Sequence, residues 1–205
     1  YVVDKEATRE LMERATHLVG GKLPVKVATD EVGASPSETV VSPLGIEAVL
    51  LGVIDHPGFI HEMMDFVTQG TVVYHRSREV AGAVDAEESW SYRTHYEELP
   101  ERADPGLLKN SWTYISAQSV CGVPPAMYEE FLQPYHERLA AVMGEGRVYY
   151  HGCEDLTSKI PIIRQLPNLY RFHISAWTDL ESAGEMLGRD FVLETNVHGP
   201  DTLAV

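Results

Sequence analysis

Apolar residues recur along the chain at two different spacings, and these spacings predict a succession of helices and strands. In the first half, three- and four-residue spacing predicts helices over 6–19, from Ser42-Pro43 to Val53, and over 57–82. A strand is predicted over 26–32, followed by a loop over 33–37. Residues 85–107 show no clean period and are interpreted as a short strand followed by an irregular segment. The second half predicts a strand over 112–117, a helix over 124–143, a strand over 147–150, a helix over 156–166, a strand over 171–175, a helix over 180–187 and a strand over 190–193.

Short strands that alternate with longer helices are typical of βα units that form a parallel sheet. The strands centred near residues 115, 149, 173 and 192 follow one another at roughly 20 to 35 residues, a spacing that suits a (β/α)8 barrel. No glycine-rich dinucleotide fingerprint and no Walker loop follows any of them, so nucleotide-binding α/β folds have little support. We therefore expect an α/β protein of the (β/α)8 barrel class.

The two ends of the chain suggest that it is part of a longer polypeptide. It has no initiator Met, and residues 201–205 look like the opening of a helix. We expect residues 1–205 to be part of a single barrel domain, truncated at both ends.

Composition and charge exclude several classes of partner. The 31 acidic residues outnumber the 16 basic ones, and the net charge of −15 would repel a phosphate backbone, so we expect no nucleic-acid partner. No stretch of eighteen apolar residues and no secretory signal is present, so we expect a cytoplasmic protein with no membrane partner. Two cysteines are too few for a disulfide framework. A homo-oligomer is compatible with the sequence, which does not specify the oligomeric state.

The strongest local candidate for chemistry is the run His151-Gly152-Cys153-Glu154, at the predicted carboxyl end of a buried strand. Barrel enzymes place their working residues at this end of their strands. An imidazole and a thiolate one residue apart, with Gly152 easing the turn, can face one point, and zinc accepts both donors. The alternative is structural, with His151 bonded to a loop carbonyl and Cys153 buried as a small apolar residue. For Glu154 the alternatives are a helix cap and a metal neighbour.

Other polar and aromatic residues near strand ends are weaker candidates. Gln118 could hydrogen-bond a ligand or simply bond within its loop, and His173 could face a ligand or be a satisfied core histidine. Trp177 could wall a pocket or pack against its neighbours. Cys121 is expected to be a packed thiol rather than a residue of the barrel mouth.

Two residues near the last predicted strand, Glu194 and His198, could each supply an oxygen or nitrogen ligand. Tyr149 and Tyr150 alternate along their strand, so only one of them can point into the barrel. His95 could belong to a lid within the irregular segment, although an exposed loop histidine is more common.

Several motifs together resemble those of one known family. They are Ala117-Gln118-Ser119, Val123–Phe131, Pro134-Tyr135, His151–Glu154, Leu166–Leu169, Ile174–Trp177 and Thr178–Glu181. This run resembles the uroporphyrinogen decarboxylase superfamily, and it is most like the branch of cobalamin-dependent methyltransferases. Ser42–Gly45, Asp55–Pro57 and Glu97–Pro100 resemble the same branch, so the resemblance covers most of the chain.

The resemblance implies a (β/α)8 barrel and a zinc site at its mouth. In the methyltransferase members a His-x-Cys pair and a later Cys hold the metal, which activates a methyl donor or acceptor against a separate corrinoid protein. His151 and Cys153 match the pair, whereas no Cys follows Cys153 to match the third ligand. Close members of that branch have a Cys-Cys-Glu run at this loop. In this chain Gly152 stands in place of the first Cys of that run.

The expected function is therefore a zinc-dependent methyltransferase that acts on a small methylated substrate with a corrinoid (cobalamin) protein as partner. His151 and Cys153 would bind the metal, Glu154 and Gln118 would be catalytic, and Trp177 and His173 would bind the cofactor. One alternative is a metal-independent decarboxylase that acts on a tetrapyrrole, the activity of other members of the superfamily. The second is a non-catalytic subunit that binds a corrinoid.

Overall fold

The structure is a computed structural model, and it describes residues 1–86, 89–90, 104–143 and 147–195. Helices and strands alternate along much of this part of the chain. In order they are α1 (Lys5–Val19), β1 (Thr29–Asp30), β2 (Val32–Ala34), α2 (Pro36–Leu44), α3 (Ile46–Asp55), α4 (Pro57–Val80), β3 (Ser89–Trp90), β4 (Thr113–Ser116), α5 (Pro125–Phe131), α6 (Gln133–Met143), β5 (Val148–His151), α7 (Ile160–Ile163), β6 (Leu169–Ile174), α8 (Leu180–Leu187) and β7 (Val192–Thr195). Short 3₁₀ helices span Leu108–Asn110 and Gln118–Val120.

Two predictions in the first half are wrong: the loop over 33–37 and the start of a helix at Ser42-Pro43. The segment 33–37, expected to be a loop, contains the end of β2 and the start of α2. The helix begins at Pro36, a first helical position that suits proline because it needs no hydrogen bond there, and Pro43 lies inside the helix rather than at its start. Gly45, with φ at 83°, separates α2 from α3. Glycine adopts this backbone conformation without a steric penalty, so the chain can turn sharply there.

Prolines also divide the helices of the second half. The stretch 124–143, predicted as one helix, is two helices that meet at Leu132, and Pro134 lies in the first turn of the second one. Within the predicted helix 156–166 only Ile160–Ile163 is α-helical. The long helix α4 and the helix α8 are confirmed.

A parallel five-stranded sheet organises the described residues. Its strand order is β2-β4-β5-β6-β7, so the strands from β4 onward lie side by side in the order of the chain, and β1 pairs with β3 in a separate two-stranded ladder. The prediction of a mixed α/β protein with a parallel sheet is therefore confirmed. The five strands do not by themselves make a closed eight-stranded barrel, which stays a prediction.

The two faces of this sheet have different neighbours. On one face Ile115, Val148, Tyr150 and Phe172 belong to the main hydrophobic core, together with apolar side chains of helices α2 to α8. On the other face Trp112, Tyr114, Tyr149 and Tyr170 form a separate aromatic cluster that includes no helical residue among those described. Tyr149 and Tyr150 thus point to opposite faces, as the two-residue period of a strand requires.

Within the described residues no single helix has the length and apolar composition needed to cross a membrane. The pair α2 and α3 reaches that length and composition only when the two helices are taken together, and they are bent by 103° at their junction.

Candidate metal centre

A row of polar side chains crosses the carboxyl end of the sheet on its aromatic face. Ser116 of β4 is in register with His151 of β5, and His173 of β6 is in register with Glu194 of β7. The rings of His151 and His173 stack with centroids 4.1 Å apart and planes 12° from parallel, which joins the two halves of the row. Parallel pairing therefore gathers four polar side chains from four strands along one edge.

His151 and Cys153 meet at the centre of this row. The distance from His151 Nε2 to Cys153 Sγ is 3.2 Å, and the Gln118 amide nitrogen Nε2 donates to the same sulfur at 2.9 Å. Cys153 is exposed and His151 is half-buried, so both can be reached from solvent. The strand β5 ends at His151, which places the imidazole at the tip and the sulfur in the loop that follows.

The position of Gly152 explains how the two donors reach the same side. A Cβ built on Gly152 would lie 2.8 Å from Leu156 Cδ1, on the buried side of the loop. A side chain at residue 152 would thus point towards the core, whereas those at 151 and 153 point to the polar row. A cysteine side chain at position 152, where the resembling family has the first residue of its Cys-Cys-Glu run, would therefore point away from His151 in this loop.

The other ring nitrogen of His151, Nδ1, contacts the hydroxyl of Tyr149, which precedes His151 by two residues on the same strand face. Tyr149 Oη lies 2.8 Å from His151 Nδ1 and donates to Glu194 Oε1 at 2.7 Å. Arg171 Nη1 lies 3.5 Å from the second oxygen of Glu194. The sequence offers Glu194 as a possible metal ligand and predicts no role for Tyr149, because the two-residue period of a strand shows which face a side chain lies on but not which groups it contacts.

Glu194, His151 and His173 are also the group of described residues whose ligand atoms lie within 4.8 Å of one another. A metal ion bound by an imidazole lies in the plane of that ring, because the nitrogen lone pair does. Two nearly parallel stacked rings cannot both present a lone pair to one ion unless one ring rotates. His151 with Cys153 is therefore the better preformed pair, and His173 would have to turn to join it.

His173 is well satisfied where it is. It is 1% exposed, and its Nδ1 lies 2.8 Å from the carbonyl oxygen of Gly152. This contact fixes the loop that carries Cys153 to strand β6. This position agrees with the interpretation of His173 as a satisfied buried histidine, and its role as a ligand contact stays a prediction.

Glu154 points away from the two donors. Its Oε2 accepts from Lys159 Nζ at 2.7 Å and from the Gly122 backbone N–H at 2.8 Å. Both side chains of the ion pair are largely buried, with 3% of Lys159 and 12% of Glu154 exposed. The carboxylate neither caps the following helix nor reaches His151, and instead ties the loop after β5 to the loop after β4.

Gln118 is positioned by a contact with a second carboxylate, that of the half-buried Glu38. Glu38, in the first turn of α2, accepts from the backbone N–H groups of Gln118 and, at 3.1 Å, of Ser119. Two N–H groups at one carboxylate fix the short 3₁₀ helix and so the side chain that reaches Cys153. Neither Glu38 nor Lys159 has a predicted role from the sequence. The partners of Glu38 lie about 80 residues along the chain, and the path of the loop between Glu154 and Lys159 shows no local pattern.

The remaining candidates lie further from the pair. Trp177 is 67% exposed, so it does not pack against the core, and it lies in the loop after β6. Cys121, expected to be packed, is exposed and donates from Sγ to the Gln118 carbonyl at 2.7 Å. Desolvation, with a contribution from the nearby Glu154 carboxylate, raises the pKa of the Cys121 thiol, which disfavours its metal-binding form. His198 and His95 lie outside the described residues, as does the segment 97–100.

The chain matches no protein-family model, and no curated protein matches it either.

Proposed function

We propose that this chain is part of a (β/α)8 barrel of the uroporphyrinogen decarboxylase type and that it acts as a zinc-dependent methyltransferase with a corrinoid protein as partner. The observation that carries the proposal is the 3.2 Å approach of His151 Nε2 to Cys153 Sγ at the carboxyl end of the sheet. The resemblance of the His-x-Cys run to that family supplies the reaction class.

The arrangement of the sheet supports the barrel. A doubly wound sheet reverses its strand order at a switch point and is covered by helices on both faces. Here strands β4 to β7 follow one another without reversal, and the helices pack on one face while the other carries aromatic and polar residues. A barrel has this asymmetry, with helices outside and the strand ends open to the mouth.

The donor pair fits zinc. Zinc bonds of about 2.05 Å to nitrogen and about 2.3 Å to sulfur, at a tetrahedral angle, place the two donor atoms about 3.6 Å apart. The observed 3.2 Å is within about half an ångström of that value, so a small rotation of the exposed Cys153 side chain would admit the ion. Zinc would supply Lewis-acid activation of a substrate heteroatom.

The other residues have supporting roles in this proposal. Gln118 donates to the sulfur, which stabilises negative charge on it. The Glu154–Lys159 pair holds the loop that carries Cys153 without being a ligand. His173 is a described candidate for completing the ligand set, because its ligand atom lies within 4.8 Å of that of His151.

The proposal is tested by metal analysis and cobalt substitution of the whole chain. We expect about one zinc per chain after dialysis, and a thiolate-to-cobalt absorption band after exchange with Co²⁺. Cys153→Ser should remove the band and the zinc, whereas Cys121→Ser, the other exposed cysteine, should keep both. Absence of bound metal in the unaltered chain would refute the metal site.

The reaction class needs a second assay. With a methylated corrinoid as probe, methyl transfer to a thiol that stops on chelation supports the methyltransferase. Decarboxylation of a porphyrinogen that survives both the chelator and Cys153→Ala would instead support the metal-independent alternative. Corrinoid binding without turnover would support the binding subunit.

A further inference from the structure

We propose that Tyr149, anchored by Glu194, is a positioning residue that fixes the tautomer of His151 so that the Nε2 lone pair faces Cys153. The inference rests on the proposed metal function for its purpose, although its structural content can be tested without metal. It follows from the three successive distances of 2.7, 2.8 and 3.2 Å that join Glu194, Tyr149, His151 and Cys153.

The direction of each hydrogen bond follows from the number of protons available. A carboxylate only accepts, so the hydroxyl of Tyr149 donates its one proton to Glu194 Oε1. The Tyr149 oxygen must then accept from His151, which requires the proton of the neutral imidazole to be on Nδ1. Nε2 is left with its lone pair, directed at the position beside Cys153 Sγ.

The opposite tautomer is disfavoured by burial. Tyr149 is fully buried, so water cannot replace its partners. If Tyr149 donated to His151 instead, its oxygen and the Glu194 carboxylate would face each other at 2.7 Å without a proton between them. Arg171 Nη1 lies 3.5 Å from the other carboxylate oxygen, so the second oxygen of Glu194 also faces a donor.

The consequence concerns any ligand of Nε2. A metal ion needs a nitrogen lone pair, and a proton on Nε2 would block it. Groups that orient a metal-binding histidine through its other nitrogen typically change metal affinity by about 10- to 100-fold when removed. Tyr149 and Glu194 would thus set the metal affinity without touching the ion.

The direct test measures the tautomer in the metal-free protein. The whole chain is labelled with ¹⁵N-histidine, treated with a chelator, and measured by long-range ¹H–¹⁵N correlation, with His151→Gln used to assign the signals. The unaltered chain should show His151 protonated on Nδ1. Tyr149→Phe should give a mixture of both tautomers, and Tyr170→Phe, which removes a hydroxyl from the same aromatic cluster, should change nothing.

A second variant, Glu194→Ala, should move the His151 proton to the ring nitrogen opposite to the one that carries it in the unaltered chain. Glu194→Ala removes the acceptor, so the Tyr149 hydroxyl becomes free to donate to Nδ1 and the His151 proton should move to Nε2. Glu194 is only half-buried on the last described strand, so this variant should fold even if Tyr149→Phe does not. A His151 signal that shows Nε2 protonated in the unaltered chain, or that is the same in all variants, overturns the proposal.

Cobalt titration separates this inference from the proposed function. Tyr149→Phe should bind Co²⁺ about 10- to 100-fold more weakly than the unaltered chain, and Tyr170→Phe should bind it equally well. Equal affinity in Tyr149→Phe overturns the positioning role while leaving the metal site intact. If the unaltered chain binds no Co²⁺, the metal function is refuted. The tautomer measurement still decides whether Glu194 and Tyr149 fix the proton of His151 on Nδ1.

Discussion

The buried His136 makes the stability of this protein depend on pH in a way that one substitution can isolate. Its side chain lies in α6 with no exposed surface, and its Nδ1 is 3.0 Å from the hydroxyl of Tyr128. The ring is surrounded by the rings of Tyr128 and Tyr150 at about 6 Å. Desolvation in this setting lowers the pKa of His136 from 6.5 to about 3.

The sign and size of the effect follow from proton linkage. In the unfolded chain His136 takes up a proton as the pH falls through 6.5, whereas in the native chain it stays neutral until about pH 3. The unfolded state therefore binds more protons between these values, and stability is lost as the pH falls from 6.5 towards 3. At pH 5.5 protonation of the unfolded chain lowers the free energy of unfolding by RT ln(1 + 10), about 1.4 kcal/mol.

The assay is urea unfolding of the unaltered chain and His136→Gln at about pH 7.5 and pH 5.5, above the isoelectric point near 4.9. The unaltered chain should lose about 1.4 kcal/mol more than His136→Gln between the two pH values, because glutamine does not titrate. Any packing cost of glutamine is present at both pH values and cancels in the difference.

The matched control is His17→Gln, since His17 is exposed in α1. Comparison with this variant separates the effect of the buried position 136 from the effect of losing any one histidine. The reasoning is refuted if His136→Gln has the same pH dependence as the unaltered chain, because His136 would then be protonated in the native protein or reachable by water.

Two further predictions concern the loop that carries Cys153. Lys159→Met should destabilise the chain by about 3 to 5 kcal/mol in urea unfolding, because it leaves the largely buried Glu154 carboxylate without its cation; a loss below about 1 kcal/mol would mean that the pair is solvated. Gly152→Ala should cost about 1 to 3 kcal/mol, since its Cβ would lie 2.8 Å from the buried Leu156 side chain. Gly184→Ala, in helix α8 with open space around its Cβ, should instead raise the melting temperature, corresponding to about 0.5 to 1 kcal/mol; equal effects of the two alanines would contradict the packing argument.

Local sequence signals predicted the βα alternation and several elements well. Helix α8 has the predicted bounds, and strand β4 lies within the predicted one. His151 and Cys153 were placed at the end of a strand by the apolar run before them, and β5 does end at His151. These features depend on residues within a few positions of one another, so periodicity and turn residues are enough to predict them.

Proline and helix ends were less predictable. Pro36 and Pro43 compete for the start of the same helix, and the sequence alone favoured the wrong one. Packing decides, because Pro36 and Val40 are buried against the core in the observed helix. Propensity is a weak guide where two starts are locally acceptable and tertiary contacts choose between them.

The tertiary structure alone decided which polar groups meet. Tyr149 and Glu194 are 45 residues apart in the chain, and only the parallel register of β5, β6 and β7 brings the hydroxyl and the carboxylate together. The Glu154 carboxylate binds Lys159, five residues on, and the Gly122 N–H, 32 residues before it, rather than the metal donors, because the path of its loop brings it to both. A pattern of residues predicts which side chains face one way, whereas their partners depend on register and loop path, which are properties of the whole fold.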